Sequence, residues 1–178
     1  LTAEDPIEIE IEGIIQTQVD RGIGLDFSQL LRTFLRQDPD IIMFGEIRDE
    51  ESAQMALRAS QTGHLVLSTL HTNDAPSAVE RLLQLGIKEF ELRNSLQLVI
   101  AQRLVRKICT HCQSNGCEHC YQGYKGRIGV YQLLSKNGKE FEKSTACLDF
   151  STLAESAIEK YQENKTNLSE IQRVLGYV

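Results

Sequence analysis

No stretch of this sequence approaches the ~20 consecutive apolar residues that a helix needs to cross a bilayer, and its opening carries no charged-then-apolar secretion signal. Any membrane association is therefore expected to be peripheral, through a partner. Positive charge is in deficit: 19 Lys and Arg face 25 Asp and Glu, a formal net charge of -6, and aromatic residues make up only 6%. A nucleic-acid grip usually uses a basic face, and single strands are held on stacked aromatics, so both shortages argue against nucleic acid as a direct partner. Internal repeats and low-complexity stretches are absent. Cysteine is scarce except in one place: Cys109, Cys112, Cys117 and Cys120 crowd together, and Cys147 stands apart.

What is present is globular. Hydrophobic residues are 41% and charged residues 25%, the balance of a chain that builds a core. The 178 residues suffice for one ordinary domain, or for a partial domain with a small appendage. The first residue is Leu1, and LTAEDP reads as a strand already in progress, so we expect a fragment or a truncated product.

Residues 7–12 alternate Ile and Glu, a period of two that predicts a strand with one acidic face. Phe27, Leu30, Leu31, Phe34 and Leu35 follow helical spacing, with Asp38-Pro39 as the stop. Ile41–Phe44 reads as a strand buried on both faces of a parallel sheet, broken by Gly45-Glu46. Asp49 should cap a helix that runs to about Thr62 and stops at Gly63; His64–Leu70 is the next strand. Asn73 or Asp74 should cap another helix, with Pro76 in its first turn and Gly86 at its end. Leu92, Leu96, Val99, Ile100 and Leu104 suggest one more amphipathic helix. Alternating strands and helices imply crossovers and a largely parallel sheet. Beyond Val105 the chain turns glycine- and cysteine-rich, with a strand from Ile128 to Leu134. Two tail helices follow, the first capped by Ser151 and the second by an Asn167/Glu170 capping box. The expected divisions are 1–105, 106–134 and 135–178.

Three polar clusters fall at the expected C-terminal ends of strands: Glu4-Asp5, Glu46 with Arg48-Asp49, and Thr69-His71-Thr72. Ligands of open parallel sheets bind beyond those ends. Carboxylates there can hold Mg²⁺ through water or take a proton from an attacking water, and His and Thr can read a terminal phosphate. Singly, each cluster reads as solvated loop charge; together they point to a site.

TAEDPIE, LRQDPDIIMFGEIRD and TGHLVLSTLHTNDA resemble the acidic box, Walker B segment and histidine box of the type II secretion and type IV pilus-assembly ATPases. The likeness runs from about residue 2 to 134 and continues more loosely to the end. It implies an α/β fold: part of a RecA-like P-loop NTPase core, a small tetracysteine zinc module and C-terminal helices. It also implies ATP hydrolysis by a hexameric homo-oligomer working in the cytoplasm against an inner-membrane platform protein. By the same likeness Glu46 is the general base, Glu4 and Asp5 supply the metal-binding acids, and His71 senses the γ-phosphate. His64, Arg48 and Arg32 match further family positions, the two arginines equally suited to bridging carboxylates. ATP and Mg²⁺ are the implied ligands of the complete enzyme.

One element of such an enzyme is missing from these residues. A P-loop needs G-x-x-x-x-G-K-[ST], and the only Gly-Lys pair, Gly138-Lys139, is followed by Glu140 and has no glycine at the required spacing. In the resembling family the loop lies upstream of the acidic box, so the chain alone is expected not to hydrolyse ATP. The alternative is a catalytically inactive, zinc-stapled interaction module left by truncation.

The two C-x-x-C pairs, separated by four residues, can bring four thiolates to one tetrahedral ion; two disulfides or a redox pair are the competing reading, disfavoured by the paired knuckles and the cytosolic setting expected of this chain. His111 and His119, inside the pairs, are expected outside the ligand shell, and Cys147 as a small buried side chain. The tetracysteine motif marks assembly and secretion relatives and is generally lacking in retraction types. The Gln113–Gly116 linker is much shorter than in many of them. Arg103, Arg106, Lys107, Lys125 and Arg127 form a basic cluster, read as a solvated face with docking to an acidic partner as the functional alternative.

Overall fold

In the computed structural model, residues 1–135 and 152–176 are described. They form two compact units. The first comprises 1–71 and 78–96, the second 72–77 and the chain from residue 97 on. Among the described residues no helix is long and apolar enough to cross a membrane.

The first unit is built on a four-stranded sheet, β1 (Thr2–Glu4), β2 (Gln16–Gln18), β3 (Ile41–Glu46) and β4 (Leu65–Thr69). The strand order is β2-β1-β3-β4 and each pairing is parallel. The helices α1 (Phe27–Phe34) and α2 (Glu50–Gln61) cover one face, closing a core of Ala3, Leu31, Phe34, Ile42, Phe44 and Ala59. Asp26 and Asp49 cap these helices by accepting bonds from Gln29 N and Ser52 N. A second apolar cluster joins Ala53 and Leu57 of α2 to Leu82 of α3 (Ala75–Gln84) and Leu92 of α4 (Glu89–Ser95).

The Ile-Glu alternation at 7–12 does not form the expected strand. β1 already has β2 on one side and β3 on the other, which leaves no edge for this segment. Its amides turn to glutamines instead: Ile7 N donates to Gln18 Oε1 (3.4 Å) and Ile11 N to Gln16 Oε1 (2.7 Å). Ile9 and Ile11 are left 72% and 51% exposed. Helix α1 ends at Phe34, ahead of Asp38-Pro39. Strand β3 is longer than its apolar run and includes Gly45-Glu46. It is also buried on one face only. Ile42 and Phe44 point into the helices, while Ile41 and Met43 lie with Leu65 and Leu67 on a face that no described helix covers.

The second unit centres on a long antiparallel pair, β5 (Leu98–Ile108) and β6 (Tyr124–Ser135). The helix expected through Leu104 thus ends at Ser95. From Leu98 onward the apolar run alternates between faces as a strand, because β6 offers it a ladder of matching length. Helices α5 (Leu153–Gln162) and α6 (Leu168–Leu175) pack on one face of the pair, burying Ala157 and Ile171 near Val105 and Val130. The α5 cap is Thr152, in a reciprocal box with Glu155; Ser151 lies outside the described residues, as do Cys147 and Gly138-Lys139.

At α6 only half of the expected box forms. Asn167 Oδ1 accepts from Glu170 N (3.0 Å), but the Glu170 carboxylate goes elsewhere, to Arg106 and Arg173. Two guanidinium groups outcompete one backbone N–H because charge-assisted bonds are roughly twice as strong. Arg106 also lies over the Tyr124 ring, 4.1 Å from its centroid. So one member of the basic cluster is committed to packing.

Candidate functional site

The site begins with an irregularity in β3. Its register with β4 runs Phe44↔Ser68 and then Glu46↔Thr69, so Gly45 is an extra residue. Such a bulge re-aims the side chain that follows it. Thr69 Oγ1 donates to Gly45 O at 2.6 Å and fixes the bulge from the neighbouring strand. Space is tight there: a Cβ would lie 3.0 Å from Phe27 Cζ and 3.1 Å from its Cε1, so any larger residue would have to push that ring aside.

Past the bulge, Glu46 projects from the C-terminal end of β3 with its side chain 13% exposed. Its two oxygens are shared between neighbours. Oε1 accepts from Arg48 Nη2, and Oε2 lies 2.9 Å from Nε2 of His71, just past β4. The Arg48 hydrogen bond, helped by His71, holds the carboxyl below the ordinary glutamate range against an opposing push from burial. A cavity of about 390 Å³ is lined by Glu46, Ile47, Arg48, His71 and Arg81, the last from α3. A larger one of about 990 Å³ includes Asp5, Asp20, Arg21 and Arg48. Arg48 therefore borders both. Asp5 is paired with Arg21 at 3.0 Å. Glu4 Oε1 accepts from Thr2 Oγ1 (2.6 Å) and Gln16 Nε2 (2.9 Å), and these bonds, the Gln16 one foremost, lower its pKa.

The fold thus gathers Asp5, Glu46, Arg48 and His71 around adjoining cavities, and Glu4 stands at the end of the neighbouring strand β1. Other candidates have local partners. Asp49 caps α2. His64 Nδ1 lies 2.9 Å from Ala59 O and 3.0 Å from Thr62 Oγ1, bracing the turn that follows α2. Arg32 pairs with Glu51 between α1 and α2 (2.9 Å). Arg81, Arg21 and Gln16 were not singled out in the sequence. Each sits in a segment with no motif of its own, and only folding brings it to the site.

In the second unit the turn between β5 and β6 gathers Cys109, Cys112, Cys117 and Cys120, whose sulfurs all lie within 4.8 Å of one another. Pair separations are 3.9 Å for Cys109–Cys117, and 3.6 Å for both Cys112–Cys120 and Cys117–Cys120. Four thiolates at ~2.3 Å from one Zn²⁺ would stand ~3.8 Å apart at tetrahedral angles, so the residues fit such an ion. Their electrostatics are uneven. The backbone N–H of His111 brings Cys109 down to about 7. At Cys117 the His119 N–H pulls downward, but burial and three neighbouring thiols push the group up to about 12. A bound cation would remove that conflict by favouring the thiolate at each position. Gly123, at φ 84°, closes the turn against Ser114, leaving no room for a side chain. The rings of His111 and His119 meet at a tilt of 52°, centroids 5.0 Å apart.

The sequence model of the Type II/IV secretion system protein family matches residues 1–173, and the chain belongs to that family. It is 63% identical over 179 residues to the Protein transport protein HofB homolog of Haemophilus influenzae, covering 99% of this chain and 37% of that protein. It is 42% identical over 212 residues to the Type IV pilus assembly ATPase PilB of Pseudomonas aeruginosa, covering 97% and 38%. Among solved structures, the pilus retraction motor PilT with bound ADP aligns at TM-score 0.75 and 30% identity, over 97% of this chain and 51% of that one. The chain spans less than two fifths of the length of the two curated relatives.

Proposed function

We propose that this chain is the water-activating portion of an ATP-hydrolysing motor for assembly of type IV pili or type II secretion pseudopili. The observation that carries the reading is the placement of Glu46: a carboxylate past a β-bulge, at the mouth of a parallel sheet, held between Arg48 and His71. In phosphoryl transfer, positioning and charge stabilisation do nearly all the work. Glu46 orients the attacking water and accepts its proton. His71 and Arg48 face the terminal phosphate and are drawn off the carboxylate when it arrives. Asp5 and Glu4 supply acids for Mg²⁺, which when bound neutralises phosphate charge. His64 and Arg32, bonded to α2, act as bracing beside the site, leaving nucleotide sensing to His71 and Arg48.

In the same reading the four cysteines hold a structural Zn²⁺ that staples the β5–β6 turn. The complete protein works as a hexameric homo-oligomer on the cytoplasmic face of the inner membrane, against a platform protein. No P-loop occurs in these residues, so the chain by itself is proposed not to turn over ATP. The test is Glu46→Gln in the full-length parent protein, expected to lower ATP hydrolysis on the order of 10²-fold or more. Unchanged turnover would remove Glu46 from the mechanism. Hydrolysis by the present chain, abolished by Glu46→Gln, would overturn its proposed dependence on a P-loop.

A further inference from the structure

Arg81 borders the cavity of about 390 Å³ that Glu46, Ile47, Arg48 and His71 also line, and all five residues belong to the first unit. Packing puts it there. Leu82, the next residue along α3, is buried in the apolar cluster with Ala53 and Leu57 of α2. One residue turns an α-helix by ~100°, so Arg81 stands on the flank of that buried stripe. Its Nη2 donates to Arg48 O at 3.4 Å, in the link between β3 and α2. An arginine on an exposed helix flank is ordinarily a solvated charge. This one is directed instead at the segment that carries Arg48.

The charges around the cavity do not balance. Glu46 is the one carboxylate among the lining residues, and its two oxygens are already taken by Arg48 and His71. Elsewhere in the unit Arg21 has Asp5 and Arg32 has Glu51, but among the described residues no carboxylate pairs with Arg81. A guanidinium carries five N–H donors and is not deprotonated in proteins. Two such groups therefore face a single carboxylate, and a concave site with charge of one sign in excess concentrates the opposite ion.

We propose that Arg81 is a phosphate-binding residue: with Arg48 and His71 it forms a subsite for the terminal phosphate of the nucleotide, and for inorganic phosphate. The assignment rests on the function proposed above for this cavity, and adds to it a residue that lies outside the three motif segments. The planar fork of a guanidinium matches two phosphate oxygens at once. Arg81 is also the cation that engages at least cost. Arg48 and His71 must first release Glu46, whereas Arg81 has no carboxylate to leave.

The experiment titrates the 178-residue chain with sodium phosphate near neutral pH, ionic strength being held constant with sodium chloride. The readout is the ¹H–¹⁵N signals of the Ile47 and Arg48 amides and of the His71 ring. Wild type is expected to give saturable shifts. Arg81→Ala should raise the Kd roughly tenfold, the loss expected for one hydrogen bond to a charged group. Arg81→Gln, which keeps a donor for Arg48 O but not the charge, should weaken binding as much. Arg58→Ala removes a charge from the last turn of α2, outside the cavity lining, and should stay within about twofold of wild type because salt screens it. Amides of Ala53 and Leu82 report whether α3 keeps its packing; if Arg81→Ala disturbs them, Arg81→Gln decides alone. The proposal is overturned by wild type without saturable shifts, or by Arg81→Gln with wild-type affinity, which would leave Arg81 as a tie to Arg48 O. Equal weakening in Arg58→Ala overturns it too, reducing the effect to net charge. Binding is read and hydrolysis is not, so failure of the motor reading on Glu46→Gln and failure of this subsite are separate results.

Discussion

The imidazole Nε2 of His71 lies 2.9 Å from Oε2 of Glu46, although 25 residues separate them in the chain. The contact exists because β3 and β4 are parallel neighbours whose C-terminal ends coincide. Glu46 has a second partner on its other oxygen, the guanidinium of Arg48. Its carboxylate is thus held by partners that an anionic phosphate would attract away.

The first prediction concerns that clamp. Arg48 is the foremost cause of the lowered Glu46 pKa, so Arg48→Ala should raise it, followed by ¹³C carboxyl NMR across pH 2–7. The sign follows from linkage: a depressed carboxyl stabilises the fold above its unfolded value, and the contribution fades as pH falls through the lower folded value. An Arg48→Ala titration at or below the wild-type midpoint refutes the assignment.

Gly45→Ala tests the bulge. The added methyl would press on Phe27 at 3.0 Å, and overpacking of this kind costs about 1–3 kcal/mol. A lower urea midpoint is expected. It should be partly restored by Phe27→Leu, which removes the opposing ring edge. No change in midpoint would mean that Phe27 yields freely and that glycine is not needed for space.

A third prediction addresses the second unit. Glu170 is 0% exposed and bonded to Arg106 and Arg173, which hold its pKa down to about 2, the Arg173 bond foremost. Glu170→Gln should cost roughly 3 kcal/mol at neutral pH, the low end for breaking a buried pair because both guanidinium ends reach solvent. The depressed pKa makes this stabilisation complete above the unfolded glutamate value and lost as pH falls toward 2. Urea unfolding should therefore show the gap between wild type and variant narrowing from pH 5 to pH 2. A gap independent of pH would assign the effect to packing rather than charge.

Metal analysis supplies the fourth. About one zinc per chain is expected from a closed four-thiolate site, with Cys112→Ser lowering the content and a strong chelator lowering the thermal midpoint. A metal-free preparation of unchanged thermal stability would rule out a structural ion.

Much of the candidate site is legible because it is carried by short, contiguous segments. Glu46 follows an apolar strand, and the cysteines announce their turn by spacing alone. The errors share one cause. Ile7 to Glu12 alternates as a strand should, yet β1 has no free edge to receive it. Leu98 to Leu104 fits helical spacing as well as a strand, and the presence of β6 decides between them. Glu170 has the spacing of a capping residue, and two arginines, one of them 64 residues away, take its carboxylate. Each is a competition for a partner, and a partner distant in sequence leaves no local mark.

The sequence by itself determined the family, the helices α1 and α2 with the strands β3 and β4 beside them, and the residue types at the sheet mouth and in the cysteine turn, because local pattern and spacing dictate these. Only the tertiary structure decided that Gly45 is a bulge beside Phe27, that Arg48 and His71 divide one carboxylate, and that Arg81 lines the cavity beside them. Those facts depend on which strand ends meet and which side chains win a shared acceptor, and such choices are settled by packing over distances that no local pattern spans.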